Sequence, residues 1–87
     1  MKISEIRKAN KAAGGIFFDR SHTRHSTTLP TVYEGNGRVL FLTQDGAPPR
    51  FRAWKFNPQT AAIRLVASFE TLDEATTAAK TATTAQA

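Results

Sequence analysis

With 87 residues, a net charge of +5 and no cysteine, the chain can form one domain but not a two-domain cleft. Lacking thiols, it has no disulfide framework and no cysteine-based zinc site. Its 40% hydrophobic and 22% charged residues balance as in a globule rather than a disordered tail.

The charge is unevenly spread. Residues 1–64 hold eleven Lys and Arg against four Asp and Glu, whereas 65–87 hold Lys80 against Glu70, Asp73 and Glu74. A basic body therefore carries a weakly acidic C-terminal segment. Such a body attracts phosphate backbones, anionic membranes and acidic proteins. The opening MKISEIRKANKAAGG has no apolar run of the kind a secretory signal needs. No stretch approaches the ~18 apolar residues of a membrane span. The expected location is the cytoplasm, with no membrane partner.

Ser4 to Ala13 reads as a short helix, with Ile3, Ile6, Ala9 or Asn10, and Ala13 on one face and Arg7, Lys8 and Lys11 largely on the other. Ser4 is the expected cap, and Gly14-Gly15 the stop. Ile16-Phe17-Phe18 reads as a short strand or buried extended segment. The polar stretch Asp19 to Pro30 reads as a long loop, a length often tied to function.

Thr31–Glu34 and Arg38–Gln44 flank Gly35-Asn36-Gly37, a strong hairpin signal. Val39-Leu40-Phe41-Leu42 is apolar at four successive positions, so this strand needs cover on both faces. Asp45 to Pro49 is a turn. Arg50 to Phe56 is the next strand, and Asn57-Pro58-Gln59-Thr60 the next turn. Ala61 to Phe69 returns as a strand, with Ile63, Leu65, Ala67 and Phe69 on one face and Arg64, Val66 and Ser68 on the other. Thr71-Leu72-Asp73-Glu74 is a capping box that opens a helix to about Thr83. Leu72, Ala75, Ala78 or Ala79, and Ala82 form its thin apolar stripe.

These elements predict an α+β domain over 1–83, with 84–87 a frayed tail. An antiparallel sheet of four or five strands lies between an N-terminal and a C-terminal helix in sequence. Either the helices take opposite faces, or they share one and a partner covers the other. A homodimer through that face is one such arrangement.

Four constellations could carry function. Strand alternation places Arg50, Arg52, Trp54 and Phe56 on one face. Guanidinium groups beside aromatic rings suit a nucleic-acid groove, where Arg pairs phosphates and Trp stacks on bases. The same row suits an acidic protein partner, or is simply core crossed by Arg stems. The segment Asp19-Arg20-Ser21-His22-Thr23-Arg24-His25 is a basic loop that could touch phosphate through Arg20 and Arg24. His22 and His25 with Arg24 are also the parts of a small ribonuclease, though their spacing has no specific catalytic pattern. The two histidines with Asp19 or Glu34 make at most an adventitious metal site. Arg7, Lys8 and Lys11 cluster within two helical turns and fit a phosphate backbone, an acidic partner or bulk solvent. Neither glycine cluster has the spacing of a phosphate-binding loop, and no cofactor is expected.

The opening KISEIRKANKAAGGIFFDR, the later LPTVYEG and the Phe56-Asn57-Pro58-Gln59-Thr60 turn resemble a group of small proteins from phages and other mobile elements. Those proteins share an N-terminal helix of this kind, a Phe-Phe motif and an F-x-P-x-T turn, and their function is unknown. The resemblance implies a mobile-element origin and carries no catalytic residues. The segment FETLDEA is similar to the last strand and helix of sheet-type DNA-binding domains at integrase N-termini, which implies DNA binding without assigning residues.

The resulting expectation is a non-enzymatic accessory protein that binds nucleic acid or a nucleoprotein complex. Its binding residues would be Arg50, Arg52 and Trp54, the loop arginines Arg20 and Arg24, and the helix cations. The alternative is a protein-binding inhibitor of a host defence or transcription complex.

Overall fold

Five consecutive residues, Val39 to Thr43, are buried. Successive side chains of a strand point to opposite faces, so this run sits in a sheet covered on both sides. The computed structural model describes residues 1–18, 26–46 and 48–84. It contains α1 (Ile3–Ala12), β1 (Ser26–Gly35), β2 (Arg38–Asp45), β3 (Arg50–Phe56), β4 (Ile63–Phe69) and α2 (Leu72–Thr84). The strands form one antiparallel sheet in the order β1-β2-β3-β4. The domain is thus an α+β fold.

The helices take opposite faces of the sheet. On one face Ile6 of α1 packs with Phe18, Val39, Phe41, Phe56 and Ala61, and Phe17, Val32 and Trp54 close the cluster. On the other face Ala75 and Ala79 of α2 pack with Leu42, Phe51 and Ala53, flanked by Leu29, Tyr33 and Phe69. The small alanines let α2 lie close to the strands.

Several local expectations need correction. Ile16 to Phe18 is not a strand: Phe17 and Phe18 form a turn that folds their rings onto β2 and β3, while Ile16 is exposed. Among the described residues the sheet therefore has four strands. Of the polar stretch read as a loop, residues 26–30 belong to β1. The strand tolerates Pro30 because β1 is an edge and its pairing with β2 shifts register between Thr28 and Val32. In β4 a register shift opposite Ala53 and Trp54 breaks the simple alternation. Leu65 pairs with Trp54 and Ala67 with Ala53, so the two lie on different faces. That strand begins at Ile63, because Ala61 has a left-handed φ of 61° and belongs to the turn. Leu72 is exposed, and Ala75, Ala79 and Thr83 form the buried stripe of α2.

The β1–β2 turn is as expected. Asn36 and Gly37 both have positive φ, 53° and 69°, the two-residue turn that matches strand twist. At the start of α2 the Glu74 amide donates to the Thr71 hydroxyl at 3.2 Å. That hydroxyl donates to the Glu74 carboxylate at 3.1 Å. The far end of α2 lands on the β1–β2 hairpin. No basic residue occupies its last turn, and Arg38 of β2 instead donates to the Ala82 carbonyl at 3.1 Å. At the same place Gly35 leaves no room for a side chain, since a Cβ would stand 1.8 Å from the Thr83 carbonyl oxygen.

Gly35→Ala must therefore lift the end of α2 from the hairpin. It should cost about 3 kcal/mol in urea unfolding. Unchanged stability would show that this helix end is not docked.

Candidate nucleic-acid interface

The first helix is short and depends on its docking. Its N-cap is Lys2 rather than Ser4, because the Glu5 carboxylate reaches back and accepts the Lys2 backbone N–H at 2.7 Å. Ile6 and Asn10 are its buried residues. The Asn10 side-chain amide donates to the Ala61 carbonyl at 2.9 Å, tying the helix to the β3–β4 turn. At the other end, the N-terminal amine pairs with Glu34 of β1. This two-ended attachment fixes which side of α1 faces outward.

Arg7, Lys8 and Lys11 are all exposed on that helix. The Arg7 guanidinium carbon lies 5.3 Å from the centre of the Phe18 ring, a cation–π interaction that positions the side chain while its charge stays in solvent. None of the three forms an ion pair with a described carboxylate. Arg7 and Lys11 are four residues apart on the helix, where like charges repel.

The Arg50/Arg52/Trp54/Phe56 row does share one face, the face of α1. Its aromatic members are engaged internally. Phe56 is fully buried. The Trp54 ring is half-buried, 4.8 Å from Phe17 in an edge-on arrangement. Its indole N–H donates to the Thr43 hydroxyl at 2.8 Å. Arg52 forms a salt bridge with Asp45, whose second oxygen, Oδ1, is buried without a partner among the described residues. Arg50 is exposed, directly across the strand pair from Asp45. The packing matches a core role for Trp54 and Phe56, and Arg50 is the exposed cation of the row.

Arg20, Arg24, His22, His25 and Asp19 lie outside the described residues. Among the described residues no cluster of three His, Cys, Asp or Glu could hold a metal, and no helix is long and apolar enough to cross a membrane. Five exposed cations of the described residues, Lys2, Arg38, Lys55, Arg64 and Lys80, are not among the candidates that the sequence singles out, and two of them meet across the sheet. Lys55 and Arg64 stand directly opposite each other on β3 and β4. The hairpin turn is recognisable from sequence, but the pairing depends on where the β4 register shift falls.

Residues 2–83 match the family of unknown function DUF7447, and the chain belongs to that family. No curated protein and no solved structure matches it.

Arg52→Ala removes the partner of a partly buried carboxylate. It should lower stability by about 1–2 kcal/mol, whereas Arg50→Ala should change it by less than about 0.5 kcal/mol. Equal effects in thermal or urea melts would mean that the Asp45–Arg52 pair contributes nothing to the fold.

Proposed function

We propose that this protein is a small non-enzymatic accessory module of a phage or mobile element, acting in the host cytoplasm. In this reading it binds nucleic acid, or a nucleoprotein complex, mainly through its phosphates. The observation that carries the reading is the exposed set Arg7, Lys8 and Lys11 on the outer side of α1, none of which forms an ion pair with a described carboxylate. Four of the seven acids already serve other bonds: Glu5 at the helix start, Glu34 at the N-terminal amine, Asp45 at Arg52 and Glu74 at Thr71. Of these only Glu5 stands on α1, three residues before Lys8, so the helix bears Arg7, Lys8 and Lys11 against one carboxylate.

Lysine and arginine on a helix face pair phosphates without reading bases, so affinity should be largely independent of sequence. Arg50 adds an exposed cation at the far end of β3 on the same sheet face, and the loop arginines Arg20 and Arg24 remain part of the proposal. Trp54 acts as a support, because its N–H and one side of its ring are already occupied.

One observation favours the second reading, a protein-binding inhibitor of a host complex. Leu65 and Val66 are adjacent on the edge strand β4, and each is about half exposed, at 52% and 54%. A packed apolar interface there would depend only weakly on salt, whereas phosphate binding releases counterions and weakens steeply.

The combined variant Arg7→Ala, Lys8→Ala and Lys11→Ala should keep the wild-type circular dichroism spectrum. Its affinity for a 20-base-pair duplex at low salt should fall about tenfold or more. The slope of log K against log salt should become shallower by about 0.9 for each phosphate that the variant no longer neutralises. Wild-type affinity and slope in this variant would remove α1 from the interface.

A further inference from the structure

We infer that the corner of the sheet bearing Lys55 and Arg64 is a phosphate-binding subsite, on the side opposite α1 and independent of the interface proposed above. The β3–β4 register places the two residues directly across from each other, with Leu40 of β2 on the other flank of Lys55. Opposed residues of an antiparallel pair hold their Cβ atoms roughly 4.5–5.5 Å apart, and like charges so placed destabilise a sheet. Both side chains are exposed, and neither has a carboxylate partner among the described residues. An acidic residue at either position would have turned the repulsion into a stabilising pair. An anion between the two cations has the same effect.

The path of α2 leaves this corner open. The helix starts after β4, packs over Phe51, Ala53 and Leu42, and ends against Gly35 and Arg38 of the first hairpin. A groove of about 390 Å³ lies between the two hairpin turns, lined by Gly37, Lys55, Phe56, Asn57, Pro58 and Gln59. Its lining offers an ammonium and two carboxamides and contains no carboxylate. The turn that forms one wall is internally braced. The Gln59 amide donates to the Asn57 side-chain oxygen at 2.9 Å, and the Asn57 amide to the Ala62 carbonyl at 2.9 Å. Arg64 does not line the groove but stands across Lys55 from it, so a tetrahedral oxyanion over Lys55 takes charge from the ammonium directly and from Arg64 on its other flank, and hydrogen bonds from a wall that is already ordered.

The ligand chemistry is a phosphate group, either free or in a nucleic-acid backbone. Inorganic phosphate at several times its Kd should raise the melting temperature by about 4–8 °C over chloride at equal ionic strength. Lys55→Gln and Arg64→Gln, which keep much of each side-chain stem, should each abolish that rise. Without phosphate, their own melting temperatures should equal or exceed the wild type, because the repulsion is gone. An equal rise in the variants, or phosphate no better than chloride, would overturn the site. Amide shifts at Lys55, Arg64 and Gln59 in ¹⁵N-labelled protein identify the source. Shifts with both inorganic phosphate and a duplex oligonucleotide assign the site to a nucleic-acid backbone, and shifts with inorganic phosphate alone assign it to a free phosphate. The Arg7, Lys8 and Lys11 variant retains this site, so the subsite and the α1 interface fail separately.

Discussion

Burial of β2 on both faces is the constraint from which the rest of the molecule follows. Val39 and Phe41 require one cover, and Leu40 and Leu42 another. Among the described residues two helices supply them, and each takes one face. Each then presents its outer side to solvent. The linear asymmetry of charge becomes a spatial one: Arg7, Lys8 and Lys11 lie beyond one face, while Asp73 and Glu74 open the helix on the other. Lys80, Arg38 and the Lys55–Arg64 corner are the basic groups on the α2 side.

The interactions that hold this arrangement are few and specific. An aromatic group of Phe17, Phe18, Phe41 and Trp54 spans the α1 face, with edge-on ring pairs at 4.8–5.5 Å around Phe17. Asn10 fastens α1 to the second hairpin, and Arg38 fastens α2 to the first. Cations and carboxylates behave differently in this domain. Most described acids serve caps, the terminus or Asp45–Arg52, whereas the exposed cations of α1 and of the Lys55–Arg64 pair form no ion pair with a described acid. Surface cations left unpaired in this way set the electrostatic field that a polyanion meets.

Local chemistry makes much of the fold legible from sequence. Asn36-Gly37 demands a tight turn, Thr71 and Glu74 announce a helix start, and the unbroken apolar run of β2 requires two covers. What is not legible depends on tertiary packing. Ile16-Phe17-Phe18 has the composition of a strand, yet ring packing onto Phe41 and Trp54 holds it as a turn. Pro30 signals a break, but an edge strand with shifted register absorbs it. The shift in β4 reassigns Ala67 and Phe69 to the α2 face, which no two-residue period reveals. For the site, the helix cations are readable from their spacing. The role of Trp54 is not, since alternation places a side chain on a face without saying what already covers that face.

If nucleic acid meets the outer side of α1, with the aromatic row serving as support, a titration of ¹⁵N-labelled protein with a short duplex at low salt will show it residue by residue. The largest shifts should fall at Arg7, Lys8, Lys11 and Arg50, with the Trp54 indole N–H still bonded to Thr43 and little moved. A dominant shift of that indole signal, or a spectrum unchanged at saturating duplex, would contradict this assignment.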